Sequence, residues 1–402
     1  MPPASPAAAD PSTPAPVIVV GGGFGGLTTA LALAATTGSP PVLLIEPQQR
    51  FLFLPLLYEL VSGELRRWEI APRYSDLLAG HGVAQLQERV VAIDHRQRTV
   101  RTDGGRTLPY SDLVIATGGR TQSFGIPGVS EHALSFRSLA DVERLQVLVQ
   151  RLRLRLHPLQ RLVVVGAGAS GVELACKLAD LLDGDALIEL IEQGPELLPG
   201  SKAFNREQAQ LALQRCDIRL RTHTRVAAVH ADSLDLQSAA ADAATTTETL
   251  RCEAVIWTGG VAACVPTLEP PLPLDRRGRL HCRSTLQVEG AEHLFALGDA
   301  AACPTPTGDD SHPANAQVAM QQASCLASNL LHQRRGEPLQ PFAWNDLGEM
   351  LGLGIGQASL TGMGFTLAGP AAFQLRRLAY LARLPGPAHQ LRVAGGWLAA
   401  WL

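Results

Sequence analysis

The sequence predicts an α/β protein made of two Rossmann-like dinucleotide-binding domains, and three observations carry the prediction. The fingerprint GxGxxG occurs twice, as Gly21-Gly22-Gly23-Phe24-Gly25-Gly26 and as Gly166-Ala167-Gly168-Ala169-Ser170-Gly171, each after an apolar run that reads as a buried parallel strand, Val17 to Val20 and Leu162 to Val165. About 20 residues past each last glycine an acid closes the next apolar run: Glu46 after Val42 to Ile45, and Glu192 after Leu187 to Ile191. Further on, Leu113-Val114-Ile115-Ala116-Thr117-Gly118-Gly119 is echoed by Ala254-Val255-Ile256-Trp257-Thr258-Gly259-Gly260. That is an internal repeat of a whole domain. Two adjacent dinucleotides ordinarily pass hydride between nicotinamide and flavin.

The chemistry explains the residue types. In each fingerprint the first glycine permits a tight turn, the second lets backbone approach a pyrophosphate, and the third lets helix and strand pack closely. The phosphates would rest on N–H groups at a helix N-terminus, where the macrodipole favours negative charge. Glu46 and Glu192 are placed to accept hydrogen bonds from an adenosine ribose. The alternative is a glycine-rich strand-to-helix turn without a ligand.

Along the chain, Met1 to Pro16 is rich in Pro, Ala and Ser and reads as a disordered leader. Domain one opens with a βαβ unit: the first strand, a helix from Gly26 to Thr37, and a strand ending at Glu46. Arg50 to Tyr58 is aromatic and apolar but contains Pro55, so it either packs in the core or lines a flavin ring as irregular backbone. The second fingerprint interrupts this domain, so a nicotinamide domain (residues 131–265) is expected as an insert between two parts of an FAD domain (17–130 and 266–340). Pro127-Gly128 and an Arg-rich helix from Asp141 to Leu156 lead into the insert. The low-complexity run Ala239 to Thr247 reads as a surface hairpin tip. Leu294 to Ala301 reads as a short strand closed by Gly298-Asp299, with a helix starting near Ala314. Residues 341–402 form a separate C-terminal region.

Composition excludes several classes. A net charge of −3 gives no electrostatic case for nucleic acid. The seven cysteines form neither a CxxC nor a CxxxxC pair, so the redox disulfide of thioredoxin-reductase and glutathione-reductase relatives is missing, and no metal site is expected. The cysteines read as reduced thiols in a cytosol-like compartment. Cys264 and Cys303 follow the Thr-Gly-Gly echo and the Gly-Asp pair, so they either lie near the flavin or are buried and inert. No run of 18 uncharged apolar residues occurs, so no transmembrane helix is expected.

The motifs together resemble the two-dinucleotide-binding flavoproteins and, within them, the type II NAD(P)H:quinone oxidoreductases. Both fingerprints, Ala116-Thr117-Gly118, Gly298-Asp299-Ala300 and the Ala316-Gln317-Val318-Ala319-Met320-Gln321-Gln322 helix carry the likeness over nearly the whole chain. Asp346 to Met350 and Leu378 to Pro385 are similar to a branch found in cyanobacteria and plastids. That branch implies reduction of demethylphylloquinone in vitamin K1 synthesis, or of plastoquinone. Leu353 to Ala358 departs from it, lacking the polar run of the plant members.

The resemblance assigns roles. Gly21, Gly23, Phe24, Gly25 and Gly26 would take the pyrophosphate of FAD, Glu46 its ribose, and Thr117 and Gly118 would approach the flavin. Gly298 and Asp299 would reach the ribityl or pyrophosphate region, with a turn-stabilising role for Asp299 as the alternative. Gly166, Gly168 and Gly171 would bind NAD(P)H as co-substrate. Glu192 favours NADH by repelling a 2′-phosphate, while Gln193 leaves NADPH open. Glu173 would face the nicotinamide and flavin, positioning groups or handling a proton, unless it only caps its helix. Gln317 and Gln321, four apart on one helix face, would address a membrane quinone, unless they simply face solvent. These three are the expected catalytic residues.

The C-terminal segment adds a clue of its own. After Glu349 no Asp or Glu occurs, while Arg376, Arg377, Arg383 and Arg392 accompany Phe373, Leu375, Leu378, Tyr380, Leu381, Trp397 and Trp401. That pattern fits an interfacial helix on anionic lipid, and the resemblance implies a peripheral protein on the cytoplasmic face of a thylakoid or plasma membrane. A homodimer contact is the alternative. Two rivals to the quinone reductase remain: a sulfide:quinone oxidoreductase working through Cys264 and Cys303, and a flavoprotein that senses NAD(P)H without turnover.

Overall fold

The computed structural model describes residues 15–154, 160–238, 246–306, 308 and 311–399. Contacts gather them into two compact units, one holding residues up to Phe51 with Arg73–Arg120 and Ala262–Asn345, the other Leu52–Pro72, Thr121–Val261 and Asp346 onward. Each unit is built on its own parallel sheet.

In the first unit the strand order is Leu294–Ala296, Asp112–Ile115, Val17–Val20, Val42–Ile45, Val83–Leu86, with neighbours parallel. Val17, Ile18 and Val19 are wholly buried, as apolar runs must be when a sheet is covered on both faces. A fully buried Val or Ile side chain is worth roughly 1.5–3 kcal/mol, so the central strands anchor the unit. The helix after the first fingerprint runs Phe24–Ala34 and packs on Ala316–Arg335. Asn315 caps the latter, its Oδ1 accepting from the Val318 N–H at 2.8 Å.

The second unit repeats the plan in the order Arg219–Arg221, Leu187–Ile191, Arg161–Val165, Ala254–Trp257, Ala133–Ser135, again parallel throughout. Helix Ala169–Leu182 follows the second fingerprint. The helix expected from Asp141 starts at Leu139 behind the capping residue Ser138 and is described to Arg153; its last expected residues lie outside the described ones. Ser233–Ser238 and Thr246–Arg251 pair antiparallel on either side of the low-complexity run, most of which is outside the described residues, as are the leader to Pro14 and Trp401.

Two long segments group otherwise than the sequence suggested, and the edges of the insert fall at Thr121 and Val261 instead of 131 and 265. Leu52–Pro72, expected in the first domain, and the chain from Asp346, expected to stand apart, both pack in the second unit. The C-terminal chain is an antiparallel sheet, Glu349–Gly352, Ala358–Gly362 and Phe365–Gly369, followed by helices Pro370–Leu381 and Pro387–Ala399. In Arg50 to Tyr58, Phe51, Phe53, Leu56 and Leu57 are at most 2% exposed and belong to the core, while Arg50, Leu52, Leu54 and Pro55 are half-buried, Pro55 in a single 3₁₀ turn.

Candidate functional site

The two fingerprints fold almost identically. Gly21 and Gly166 take φ of +98° and +100°, a region L side chains rarely adopt. The Gly21 N–H donates to Ile45 O at 2.9 Å and that of Gly166 to Ile191 O at 2.8 Å, so each turn is tied to the strand that ends at the acid. A Cβ on Gly26 would lie 1.8 Å from Gly21 O, and one on Gly171 1.8 Å from Gly166 O. The last glycine is therefore required by packing alone. A Cβ on Gly23 or Gly168 would meet nothing within 4 Å, so at this position the backbone opens outward at the first turn of a helix. The outer glycines build the turn and the middle one leaves room for a phosphate.

The acids match as well. Glu46 accepts from the Gly22 N–H at 2.7 Å and the Gln48 N–H at 2.8 Å; Glu192 accepts from Ala167 and Gly194, both at 2.8 Å. Each carboxylate is thus fixed against its own glycine turn, with lone pairs left for a ribose. In the first unit Tyr74 Oη donates to Gly22 O at 2.8 Å, a brace the sequence did not reveal, and burial followed by the Glu46 charge pushes its phenol well up.

Around the first turn the residues fit a dinucleotide. Thr117 Oγ1 is buried without a partner, next to Gly118 at φ +65°. Gly298, at φ +63°, opens a 3₁₀ turn with Asp299, and its N–H donates to Gln322 Oε1 at 2.8 Å. Gln322, 2% exposed, therefore shapes the Gly-Asp turn. Sequence reasoning passed it over for its neighbour, although its place three residues past Ala319 marks the buried helix face.

Gln317 and Gln321 are half-buried, and their amides are bonded to the returning chain. Gln321 clasps Asn345, donating from Nε2 to its carbonyl and accepting from its N–H, both at 2.9 Å, while Gln317 Oε1 accepts from Trp344 Nε1 at 3.1 Å. A quinone addressing these amides would have to share or displace those bonds.

Glu173 does not cap its helix. It is 8% exposed, and Oε1 accepts from the Gly352 N–H at 2.6 Å and from Arg376 Nη2 at 3.2 Å. Arg376 Nη1 is paired with Glu59, and Nη2 also reaches Pro55 O at 2.9 Å. All three charged residues are buried within the second unit. One guanidinium serving two carboxylates leaves Glu59 Oε2 and Arg376 Nε without partners. Burial pushes Glu173 up to about 7, only partly offset by Arg376 and the Gly352 amide. A carboxyl titrating near neutrality inside a polar cluster can gain and release a proton. Arg376, read from the sequence as one of several lipid-facing arginines, is corrected to a fully buried structural cation.

The cysteines expected near the flavin differ. The Cys264 N–H donates to Gly118 O at 3.0 Å, which puts it beside the Thr117 turn. Cys303 is 1% exposed, its thiol lies by Arg283 O and Pro304 O, and burial pushes it up to about 12. Such a thiol is unfit as a nucleophile.

Comparison with known proteins agrees with this geometry. Residues 15–323 match the family described as pyridine nucleotide-disulphide oxidoreductase. The chain is 40% identical to demethylphylloquinone reductase NdbB of Synechocystis, over 89% of the chain and 88% of that protein. It is 34% identical to the alternative NAD(P)H-ubiquinone oxidoreductase C1 of Arabidopsis thaliana, over 89% of the chain and 75% of that protein. The fold is that of NDH2 from Plasmodium falciparum, solved in complex with NADH, with a TM-score of 0.85 at 19% identity, covering 94% of this chain and 96% of that one.

Proposed function

The chain belongs to the pyridine nucleotide-disulphide oxidoreductase family, as a type II NAD(P)H:quinone oxidoreductase, and from that premise we propose that it reduces a membrane naphthoquinone of the demethylphylloquinone type. It is an FAD-dependent oxidoreductase with NAD(P)H as co-substrate. FAD held in the first cradle would supply the redox chemistry between nicotinamide and quinone.

The observation that carries the assignment is the matched pair of glycine cradles, each open at its middle glycine and braced by its own acid. In this reading Gly21 to Gly26, Glu46, Thr117, Gly118, Gly298 and Asp299 hold FAD, and Gly166, Gly168, Gly171 and Glu192 hold NAD(P)H. Glu192 is negative where a 2′-phosphate would sit, which favours NADH. Glu173 holds or releases a proton at its carboxyl, and Arg376 keeps that carboxyl in place. Gln317 and Gln321 lie at the quinone's approach and fix Trp344 and Asn345 beside it.

The choice of quinone rests on the 40% identity to a protein named demethylphylloquinone reductase. Among the described residues no helix is long and apolar enough to cross a membrane. Leu375, Leu378, Leu391 and Leu398 are exposed on the last two helices, with Arg392 exposed and Arg377 and Arg383 half-buried beside them. This surface suits a peripheral seat on anionic lipid, from which a lipid-soluble quinone can be taken; a second copy of the chain is the other occupant to test for. Demethylphylloquinone and plastoquinone offered side by side with NADH test the assignment. Faster formation of the naphthoquinol supports it, and reduction of plastoquinone alone refutes it.

A further inference from the structure

Helix Ala169–Leu182 carries Glu173, Lys177 and Asp180 at helical spacing, so the three charged side chains share one face. That face holds the turn that follows strand Glu349–Gly352. Glu173 Oε1 accepts from the Gly352 N–H at 2.6 Å, Lys177 Nζ donates to Gly354 O at 3.0 Å, and Asp180 Oδ2 accepts from the Ile355 N–H at 2.6 Å. Two charges from other segments complete the clasp. Arg215 Nη2 donates to Leu353 O at 2.7 Å, and Glu64 Oε1 accepts from the Gly356 N–H at 3.3 Å. Every residue from Gly352 to Gly356 is thus held through its backbone by a charged side chain. The approach is close enough to require glycine: Gly354 takes φ +120°, and a Cβ there would lie 2.2 Å from Asp180 Oδ2.

Lys177 is 2% exposed and ion-paired with Glu64. Burying an ammonium is costly unless its bonds are made, and here they go to Glu64 and to the middle of the turn. We propose that Lys177 is a positioning residue for Glu173: by gripping Gly354 O it keeps the Gly352 N–H on the Glu173 carboxylate, and so sets the pH at which that carboxyl takes up a proton. Its consequence for catalysis rests on the reading of Glu173 as the proton-handling group. Its effect on the carboxyl is measurable without turnover.

The direction of the effect follows from the surroundings. Glu173 faces Tyr58 and Glu59 from helix Leu57–Val61, Arg376 and Tyr380 from helix Pro370–Leu381, and Lys177 from its own helix. Burial pushes the carboxyl up, while Arg376, the Gly352 amide and Lys177 hold it down. A hydrogen bond donated to a carboxylate and a cation beside it both favour the ionised form. Lys177 therefore acts twice, through its own charge and through the amide it keeps in place, and without it the carboxyl rises further.

The test follows the protonated carboxyl by infrared difference spectra of the full-length, flavin-loaded protein across pH, the Glu173 band being the one that Glu173→Gln removes. In the parent that band should titrate with a midpoint at about 7. In Lys177→Met the midpoint should move up by about one unit, roughly tenfold in proton affinity. Lys177→Met combined with Glu64→Gln leaves no charge unpaired, should show the same shift, and decides should the single variant not fold. The fall of quinone reduction with rising pH should move with the band. A Lys177 that only holds the fold together would lower the melting temperature and leave the midpoint in place, and an unchanged midpoint would overturn the proposal. A shifted band beside an unshifted rate profile would uphold the hold of Lys177 on Glu173 and remove Glu173 from the reaction.

Discussion

Replacing Arg376 with methionine removes the guanidinium that two buried carboxylates share. The long apolar stem is kept, so the loss is mainly of charge and hydrogen bonds. Taking one partner from a buried ion pair costs about 3–5 kcal/mol, because the other charge is left unpaired in a poor solvent. Glu59, 1% exposed, bears that cost. Glu173 adds a pH dependence. Its folded value of about 7 lies above an ordinary carboxyl value of 4.5, so the folded state binds the proton more tightly than the unfolded chain. Stability from this group is therefore full below about pH 4 and falls as pH rises to about 7, by on the order of 3 kcal/mol. Without Arg376 the carboxyl rises further and the fall continues to higher pH. Urea unfolding of the parent, Arg376→Met and the double variant Arg376→Met with Glu59→Gln, at about pH 6 and about pH 8, reads this out. The single variant should lose about 3–5 kcal/mol at the higher pH and less at the lower, and Glu59→Gln should restore more than half. A loss under about 1 kcal/mol, or no rescue, would refute the shared-cation account.

The glycines of the first fingerprint should separate folding from binding. Gly26→Ala drives a methyl into Gly21 O and should destabilise by about 3 kcal/mol or more, whereas Gly23→Ala should melt like the parent yet be purified with less flavin per chain, as absorbance and melting curves would report. In steady-state quinone reduction the parent's rate should fall as pH rises through about 7, since only the protonated Glu173 can donate, and Glu173→Gln should flatten that fall. Glu192→Ala should shift the ratio of NADPH to NADH kcat/KM upward by about fivefold, equivalent to roughly 1 kcal/mol; an unchanged ratio would remove this acid from nicotinamide selection.

Much of this was legible because short-range rules govern it. A glycine at φ near +100°, an acid one strand later and a buried valine run are local requirements, and the chain states them twice. What escaped depends on packing between distant segments. Arg376 looked like its exposed neighbours in sequence, yet it stands three and four residues past Phe373 and Ala372, both buried, so the helical period already put it on the inner face. Its partner Glu59 is over 300 residues away, and no spacing links them. The glutamine pair was found by resemblance; that its amides are bound to Trp344 and Asn345 follows from how the chain returns after helix Ala316–Arg335.

On the proposed function one fingerprint holds a resident FAD, the other takes NAD(P)H in turn, and a quinone removes the electrons. An anaerobic titration followed by flavin absorbance tests it most directly. NADH should bleach the flavin of the purified protein, and a demethylphylloquinone analogue should restore the yellow form repeatedly while NADH lasts, with the Gly168→Ala variant losing the bleaching but keeping the flavin. A protein purified without flavin, or one bleached once and never reoxidised by quinone, would contradict the account.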